Sequence, residues 1–187
     1  HRAHATIHAL PAMIPDRGIG FLIEKEIQML DGLLMNPKRP YVAILGGAKV
    51  SDKIGVIEKL MDVVDAFIIG GAMAYTFLKA QGHFVGKSRV EEDKVKYAKE
   101  LLARIDARNK TILLPVDHVV TTNITDTANA KVKKEIGEGE MGVDIGPETL
   151  KNFSALIRES GTVFWNGPMG VFETPEFSKG TFSLAKV

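Results

Sequence analysis

Residues 41–50 read Tyr-Val-Ala-Ile-Leu-Gly-Gly-Ala-Lys-Val (YVAILGGAKV), and this stretch decides the fold. Residues 41–45 form a short apolar run with no polar alternation, which predicts a strand buried on both faces. Gly46-Gly47 ends the run. Upstream, residues 21–34 carry apolar side chains at helical spacing. Pro37 and Pro40 break that pattern, because proline cannot sit in a helix interior. Downstream, helical spacing resumes over residues 51–64. The scheme then repeats: residues 65–69 (DAFII) predict a strand, Gly70-Gly71 a turn and residues 72–81 a helix. VAILGGAKV and AFIIGGAMA are therefore two copies of one pattern, about one βαβ period apart.

The rest of the chain continues the alternation. Residues 91–107 predict an amphipathic helix, and residues 111–114 (TILL) a strand ended by Pro115-Val116-Asp117. Residues 119–140 are polar and read as an excursion at the carboxyl edge of the sheet. Residues 147–159 predict a helix, and residues 162–165 (TVFW) a fourth strand ended by Asn166-Gly167-Pro168. Residues 177–187 read as a helix still running. The expected class is α/β: a three-layer, Rossmann-like parallel sheet with helices on both faces, present in part. Ligands in such sheets bind outside the carboxyl ends of the strands. Gly46-Gly47, Gly70-Gly71, Asp117 and residues 166–173 all fall there.

Composition narrows the function classes. Of 187 residues, 45% are apolar and 25% charged, which fits a globular chain rather than a disordered one. Lys plus Arg number 24 against 23 for Asp plus Glu, a balance that argues against a nucleic-acid binder. Cysteine is absent, so disulfide scaffolds, thiolate zinc sites and cysteine nucleophiles are excluded. No apolar run reaches the roughly 18 residues that span a bilayer. The five histidines make no metal-ligand pattern, and neither HExxH nor GxSxG occurs. His1 and His4 lie near Arg2 as a small cationic cluster. The first residue is not Met and both ends look cut, so a fragment is expected.

The strongest local signal for chemistry is Gly46-Gly47-Ala48-Lys49-Val50-Ser51-Asp52-Lys53. A double glycine lets backbone amides approach an anion with no Cβ in the way. A helix start just beyond would turn its positive end to the same space. Lys49 and Lys53, four apart, would share one helix face. Either these groups bind a polyphosphate, or the lysines are merely exposed and the glycines only turn the chain; the local pattern leaves both open. Gly70-Gly71 repeats the turn without a cation, which suits close approach to a flat uncharged group or tight strand-to-helix packing. Residues 82–88 (GHFVGKS) look like a Walker A loop but have one residue too few between the glycines, and no strand leads in, so they read as coincidence. Residues 165–173 (WNGPMGVFE) bring a rigid turn, an amide, apolar walls and a carboxylate together after a strand. An amide can position a phosphate and a carboxylate can accept from hydroxyls, or the loop is simply rigid.

Taken in order, LGGAKVSDKI (45–54), IIGGAMAYTFLK (68–79), LPVD (114–117), MGVDIGPET (141–149) and WNGPMGVFE (165–173) resemble the signatures of the phosphoglycerate kinases. HRAHA (1–5) is similar to that family's N-terminal-domain stretch, and GFLIEKEIQML (20–30) to its interdomain helix. The resemblance covers essentially the whole chain. It implies a remnant of the N-terminal substrate domain at 1–19, the interdomain helix at 20–35 and a nucleotide-binding domain at 36–187, incomplete at its C-terminus. It implies a two-domain glycolytic kinase, cytoplasmic and monomeric when intact, without nucleic-acid or membrane partners. That kinase passes a phosphoryl group between 1,3-bisphosphoglycerate and MgADP, giving 3-phosphoglycerate and MgATP. Residue by residue, the resemblance assigns nucleotide phosphate to Lys53 and Asn166, and the transferring phosphoryl group to Lys49. Gly47 belongs to the nucleotide loop; Gly70, Gly71 and Gly142 line the adenine pocket, with Val143 and Val171 as apolar walls. Pro168 and Gly170 shape the pocket, Glu173 takes the ribose, and Arg2 contacts the phosphoglycerate. Mg2+ arrives with the nucleotide, its protein ligand expected outside this chain. Arg89 stands where many relatives place an apolar residue near the adenine, and Val143 where leucine is common. The alternative is a non-catalytic nucleotide-binding or folding fragment of such an enzyme.

Overall fold

The computed structural model describes residues 4–187. It divides into two compact units, one ending at Asn36 and the other spanning Pro37–Val187. The first holds a π-helical turn (Ala5–Ala9), α1 (Leu10–Met13) and α2 (Phe21–Met35). Helix α2 starts after Gly20, whose backbone is extended, and stops at Asn36. The stop follows from Pro37, which disfavours helical backbone in the residue before it.

The second unit is built on a four-stranded parallel sheet of order β3-β2-β1-β7. Its strands are β1 (Tyr41–Leu45), β2 (Ala66–Ile69), β3 (Thr111–Leu113) and β7 (Thr162–Asn166). Ile44 of β1 lies between Ile68 of β2 and Trp165 of β7. Every residue of β1 and β2 is buried. One face of the sheet, with Val42, Ile44, Ala66 and Ile68, packs on Phe153 of α6 (Pro147–Arg158) and Leu184 of α7 (Lys179–Leu184). Successive strand side chains point to opposite faces. The intervening Ala43, Leu45, Phe67 and Ile69 are buried as well, so helices also cover the other face. The connections from β1 to β2 and from β2 to β3 carry α3 (Ile54–Leu60), α4 (Met73–Ala80) and α5 (Val95–Asp106). Strand β7 is half exposed, in contrast to β1. The predicted α/β sandwich with helices on both faces is the observed architecture.

Three expectations are corrected. The excursion at 119–140 is more ordered than a polar loop. It contributes two strands, joined by turns, to a second sheet that is antiparallel and three-stranded, of order β5-β4-β6: β4 (His118–Thr121), β5 (Lys131–Lys133) and β6 (Met141–Ile145). These strands are short and irregular, with a register shift between Val119 and Val120, so they leave little period-2 signal. The helix expected over 51–64 begins only at Ile54, because Val50–Lys53 is a turn closed by the Lys53 amide donating to the Val50 carbonyl at 2.9 Å. The helix expected to run through 187 is a 3-10 turn (Pro175–Phe177) followed by α7, which stops at Leu184.

Candidate functional site

Three turns distant in sequence meet at the carboxyl end of the parallel sheet. The Gly46 amide donates to the Asn166 carbonyl (2.9 Å), Gly47 to Pro168 (3.0 Å) and Gly71 to Met169 (3.0 Å). The Met73 amide, opening α4, donates to the Gly47 carbonyl at 3.0 Å. The two double-glycine turns and the 167–170 turn are thus laced into one crest. The Trp165 indole closes the third turn by donating to the Gly167 carbonyl at 2.7 Å. Gly71 has φ +66°, and a Cβ there would lie 2.5 Å from the Gly47 nitrogen and 2.8 Å from the Pro168 carbonyl. Both the left-handed backbone and the close approach therefore require glycine. The amides of Gly46, Gly47, Gly70 and Gly71 all donate within the protein, so these glycines serve close packing of the turns, one of the two uses left open above.

The crest walls a cavity of about 500 Å³. Gly47, Gly71, Gly142, Val143, Pro168, Gly170, Val171 and Glu173 all line it, so the fold brings these eight residues, assigned above by resemblance, to one space. Gly70 sits behind the cavity against the Met169 side chain, where a Cβ would overlap the sulfur. Lys53 is half-buried, and a Cβ on Gly47 would lie 3.8 Å from its Cε, so its stem runs past the cavity mouth. Its ammonium donates to Asn166 Oδ1, which fixes the cation beside the end of β7. Lys49 is exposed. It does not share a helix face with Lys53, since both precede α3. The reason lies in Ser51, whose amide and hydroxyl donate to Glu91 at 3.0 and 2.6 Å and hold the chain in a turn. Arg2 lies outside the described residues.

Other lining residues escape a reading by motif. Tyr75, on α4, is buried, with its hydroxyl 3.4 Å from His118 Nδ1. A Cβ on Gly142 would overlap that hydroxyl, which explains the glycine in β6. Burial pushes His118 down to about 4 and keeps its ring neutral at ordinary pH. Lys87 and Arg89 also line the cavity. Lys87 belongs to the GHFVGKS stretch, which is a loop with no strand leading in. That loop is stitched to β6 and its approach: the Lys87 amide donates to the Glu140 carbonyl (2.7 Å), and the Gly142 amide to Ser88 Oγ (2.9 Å). Arg89 is exposed at the wall where the resemblance places it. Asp117, expected near a ligand, turns inward instead. It accepts from the Glu148 amide (3.0 Å), the Thr149 amide (2.7 Å) and the Thr149 hydroxyl (2.6 Å), and these bonds hold its carboxyl below the usual range despite burial.

The cavity thus joins apolar and glycine walls to a rim carrying Lys87, Arg89 and one carboxylate, Glu173, with Lys53 at its edge. Such a space suits a ligand with a flat apolar part and an anionic tail. Among the described residues, no group of three His, Asp or Glu side chains could hold a metal ion. No helix among them is long and apolar enough to cross a membrane.

Comparison with known proteins is consistent with this geometry. The family model described as phosphoglycerate kinase matches residues 1–187. The chain is 73% identical to the phosphoglycerate kinase of Bdellovibrio bacteriovorus, over all of its own length and 47% of that protein's. It is 52% identical to that of an Anaeromyxobacter species, over all of its length and 48% of the relative's. The chain therefore spans about half the length of the curated relatives it matches. Among solved structures, phosphoglycerate kinase from Coxiella burnetii superimposes with TM-score 0.86 at 41% identity, covering 89% of this chain and 44% of that one. The enzyme from Pyrococcus horikoshii gives 0.78 at 31% identity, covering 89% and 43%. A family match over every residue, joined to the same fold, establishes that this chain belongs to the phosphoglycerate kinase family.

Proposed function

We propose that this chain forms the nucleotide-binding part of a glycolytic, cytoplasmic phosphoglycerate kinase. The whole protein would move a phosphoryl group between 1,3-bisphosphoglycerate and MgADP, giving 3-phosphoglycerate and MgATP. The observation that carries this is the convergence of three sequence-distant turns on one cavity, with Lys53 fixed at its edge by Asn166. In this reading residues 36–187 are the nucleotide domain, 20–35 the interdomain helix and 1–19 part of the substrate domain. The protein acts as a monomer, without nucleic-acid or membrane partners.

The base lies against Gly71, Gly142, Val143 and Val171, small residues that leave room for a flat ring. Glu173 accepts from the ribose hydroxyls. Asn166 uses its amide oxygen for Lys53, which leaves its NH2 free to donate to a phosphate. Phosphoryl transfer asks little covalent chemistry of the protein; it asks for positioning and for neutral charge at the equatorial oxygens. Lys53 supplies a fixed charge for the nucleotide. Lys49, exposed and unanchored, is free to follow the transferring group. Arg2 contacts the phosphoglycerate. Magnesium comes with the nucleotide, and no residue described here is assigned to it.

The test is titration of the purified protein with ATP, ADP and adenosine, joined to a turnover assay. Saturable binding of all three supports the reading, and no adenosine binding would overturn the base site. The chain's span of about half its relatives favours binding without turnover by these 187 residues alone. Detectable turnover by them would overturn that second reading.

A further inference from the structure

We infer that Asp144 is a positioning residue for the cavity: its carboxylate ties the start of α7 to β6 and so holds the 167–173 turn in place as a wall. Asp144 is 2% exposed. Its Oδ2 accepts from the Gly180 amide in α7 at 2.7 Å, and its Oδ1 from the Ile145 amide at 2.9 Å. The carboxyl group is clamped between two glycines, since a Cβ on Gly170 or on Gly180 would overlap it. Gly170 lines the cavity, so the carboxylate supports the cavity wall from behind. Two further bonds complete the frame. The Val171 amide donates to the Val143 carbonyl, next to Asp144 in β6, at 2.8 Å. The Met169 amide donates to Thr181 Oγ1, next to Gly180 in α7, at 2.9 Å. The 169–171 turn is therefore held by β6 on one side and α7 on the other, and Asp144 joins the two.

The arrangement is costly for a carboxylate. Burial of a charge is unfavourable unless bonds replace the lost water. Asp117 has the Thr149 hydroxyl besides its backbone donors, whereas Asp144 has two backbone amides. Among the described residues no cation forms an ion pair with it. Burial accordingly pushes Asp144 up to about 6. The titratable groups on the elements around it are Tyr75 on α4, His118 on β4, Lys179 on α7 and Glu173 on the turn; Lys179 and Glu173 are exposed. Tyr75 stays protonated, held up by burial and by the Asp144 charge. His118 stays neutral.

When Asp144 takes a proton, it must sit on an oxygen that already accepts a backbone N–H. The bond to Gly180 weakens and the wall loosens. Ligand affinity therefore falls as pH drops through about 6. Stability moves the other way. The folded state binds this proton more tightly than the unfolded chain, whose carboxyl has its ordinary value near 4, so between those values stability rises as pH falls. A purely structural role would move affinity and stability together.

This inference rests on the proposed base site. It is tested with adenosine, which has no phosphate to titrate, by ligand-observed NMR between about pH 7.5 and 5, with thermal melting in parallel. Weakening of one hydrogen bond behind the wall predicts a fall in adenosine affinity of about five-fold over that range. Asp144→Asn, whose NH2 cannot accept from the second backbone amide, should bind at least as weakly as the acid form at every pH, with no pH step. Flat wild-type affinity overturns the inference, as does Asp144→Asn binding at wild-type strength or keeping the pH step. If Asp144→Asn does not fold, the wild-type titration alone decides. If the wild type binds no adenosine at neutral pH, the base-site reading fails and this inference falls with it.

Discussion

The two double-glycine turns, Gly46-Gly47 and Gly70-Gly71, are copies in sequence but not in use. Each follows a buried parallel strand and docks onto the 166–169 segment, the first through both glycine amides and the second through the Gly71 amide alone. The first is followed by a turn that carries Lys49 exposed and Lys53 anchored on Asn166. The second passes within two residues into α4, whose Tyr75 is buried against β6. One copy therefore brings charge to the cavity and the other brings surface. The difference teaches that the glycines set the common geometry, while the residues just after them set the chemistry.

Breaking the geometry should have the largest effect. Gly71→Ala strains a positive φ and forces a contact with the Gly47 backbone that no flexible side chain can relieve. Stability should fall by about 2–4 kcal/mol, judged from the cost of strained backbone and overpacking. ATP and adenosine should weaken together, as measured by calorimetry beside a thermal melt. Wild-type stability would mean that the two turns are not locked together.

Removing the charge separates the copies more cleanly. Lys53→Ala should cost ATP roughly ten- to a hundred-fold in affinity, the worth of one or two bonds to a charged group. Adenosine should change little. Equal loss for both ligands would show that Lys53 supports the cavity instead of a phosphate.

A smaller effect on binding is expected at the exposed lysine. Lys49→Ala in the intact enzyme should lower kcat several-fold with nearly unchanged nucleotide affinity, because it acts on the transferring group. Unchanged kcat in steady-state assays would remove that role. Glu173→Ala should weaken ATP and adenosine alike by a few-fold, about 1 kcal/mol for a partly solvated hydrogen bond. No change in either titration would remove the ribose assignment.

The parallel sheet was legible because its strands are buried on both faces and read as unbroken apolar runs, as in residues 41–45. The second sheet was not. Strands of three to five residues with a register shift, one of them Lys-Val-Lys, hold no period long enough to register. The same limit hid Tyr75 and Lys87. Tyr75 looks like any apolar position on α4, and Lys87 lies in a loop whose only distinction is where it lands. The lysine pair shares no helix face because the bond that holds the chain in a turn before α3, Ser51 to Glu91, comes from forty residues away.

By itself the sequence determined the α/β class, the order of its parallel strands along the chain, the turns at the carboxyl end of the sheet and the family. Those properties follow from local chemistry: burial needs apolar runs, and sharp turns need glycine or proline. Only the tertiary structure decided that the three turns interlock through their own amides. It alone anchored Lys53 on Asn166, turned Asp117 inward onto α6 and placed Asp144 behind the wall. Each of these depends on hydrogen bonds between residues far apart in the chain. No local pattern encodes such bonds, because they form only when packing brings the donors and acceptors together.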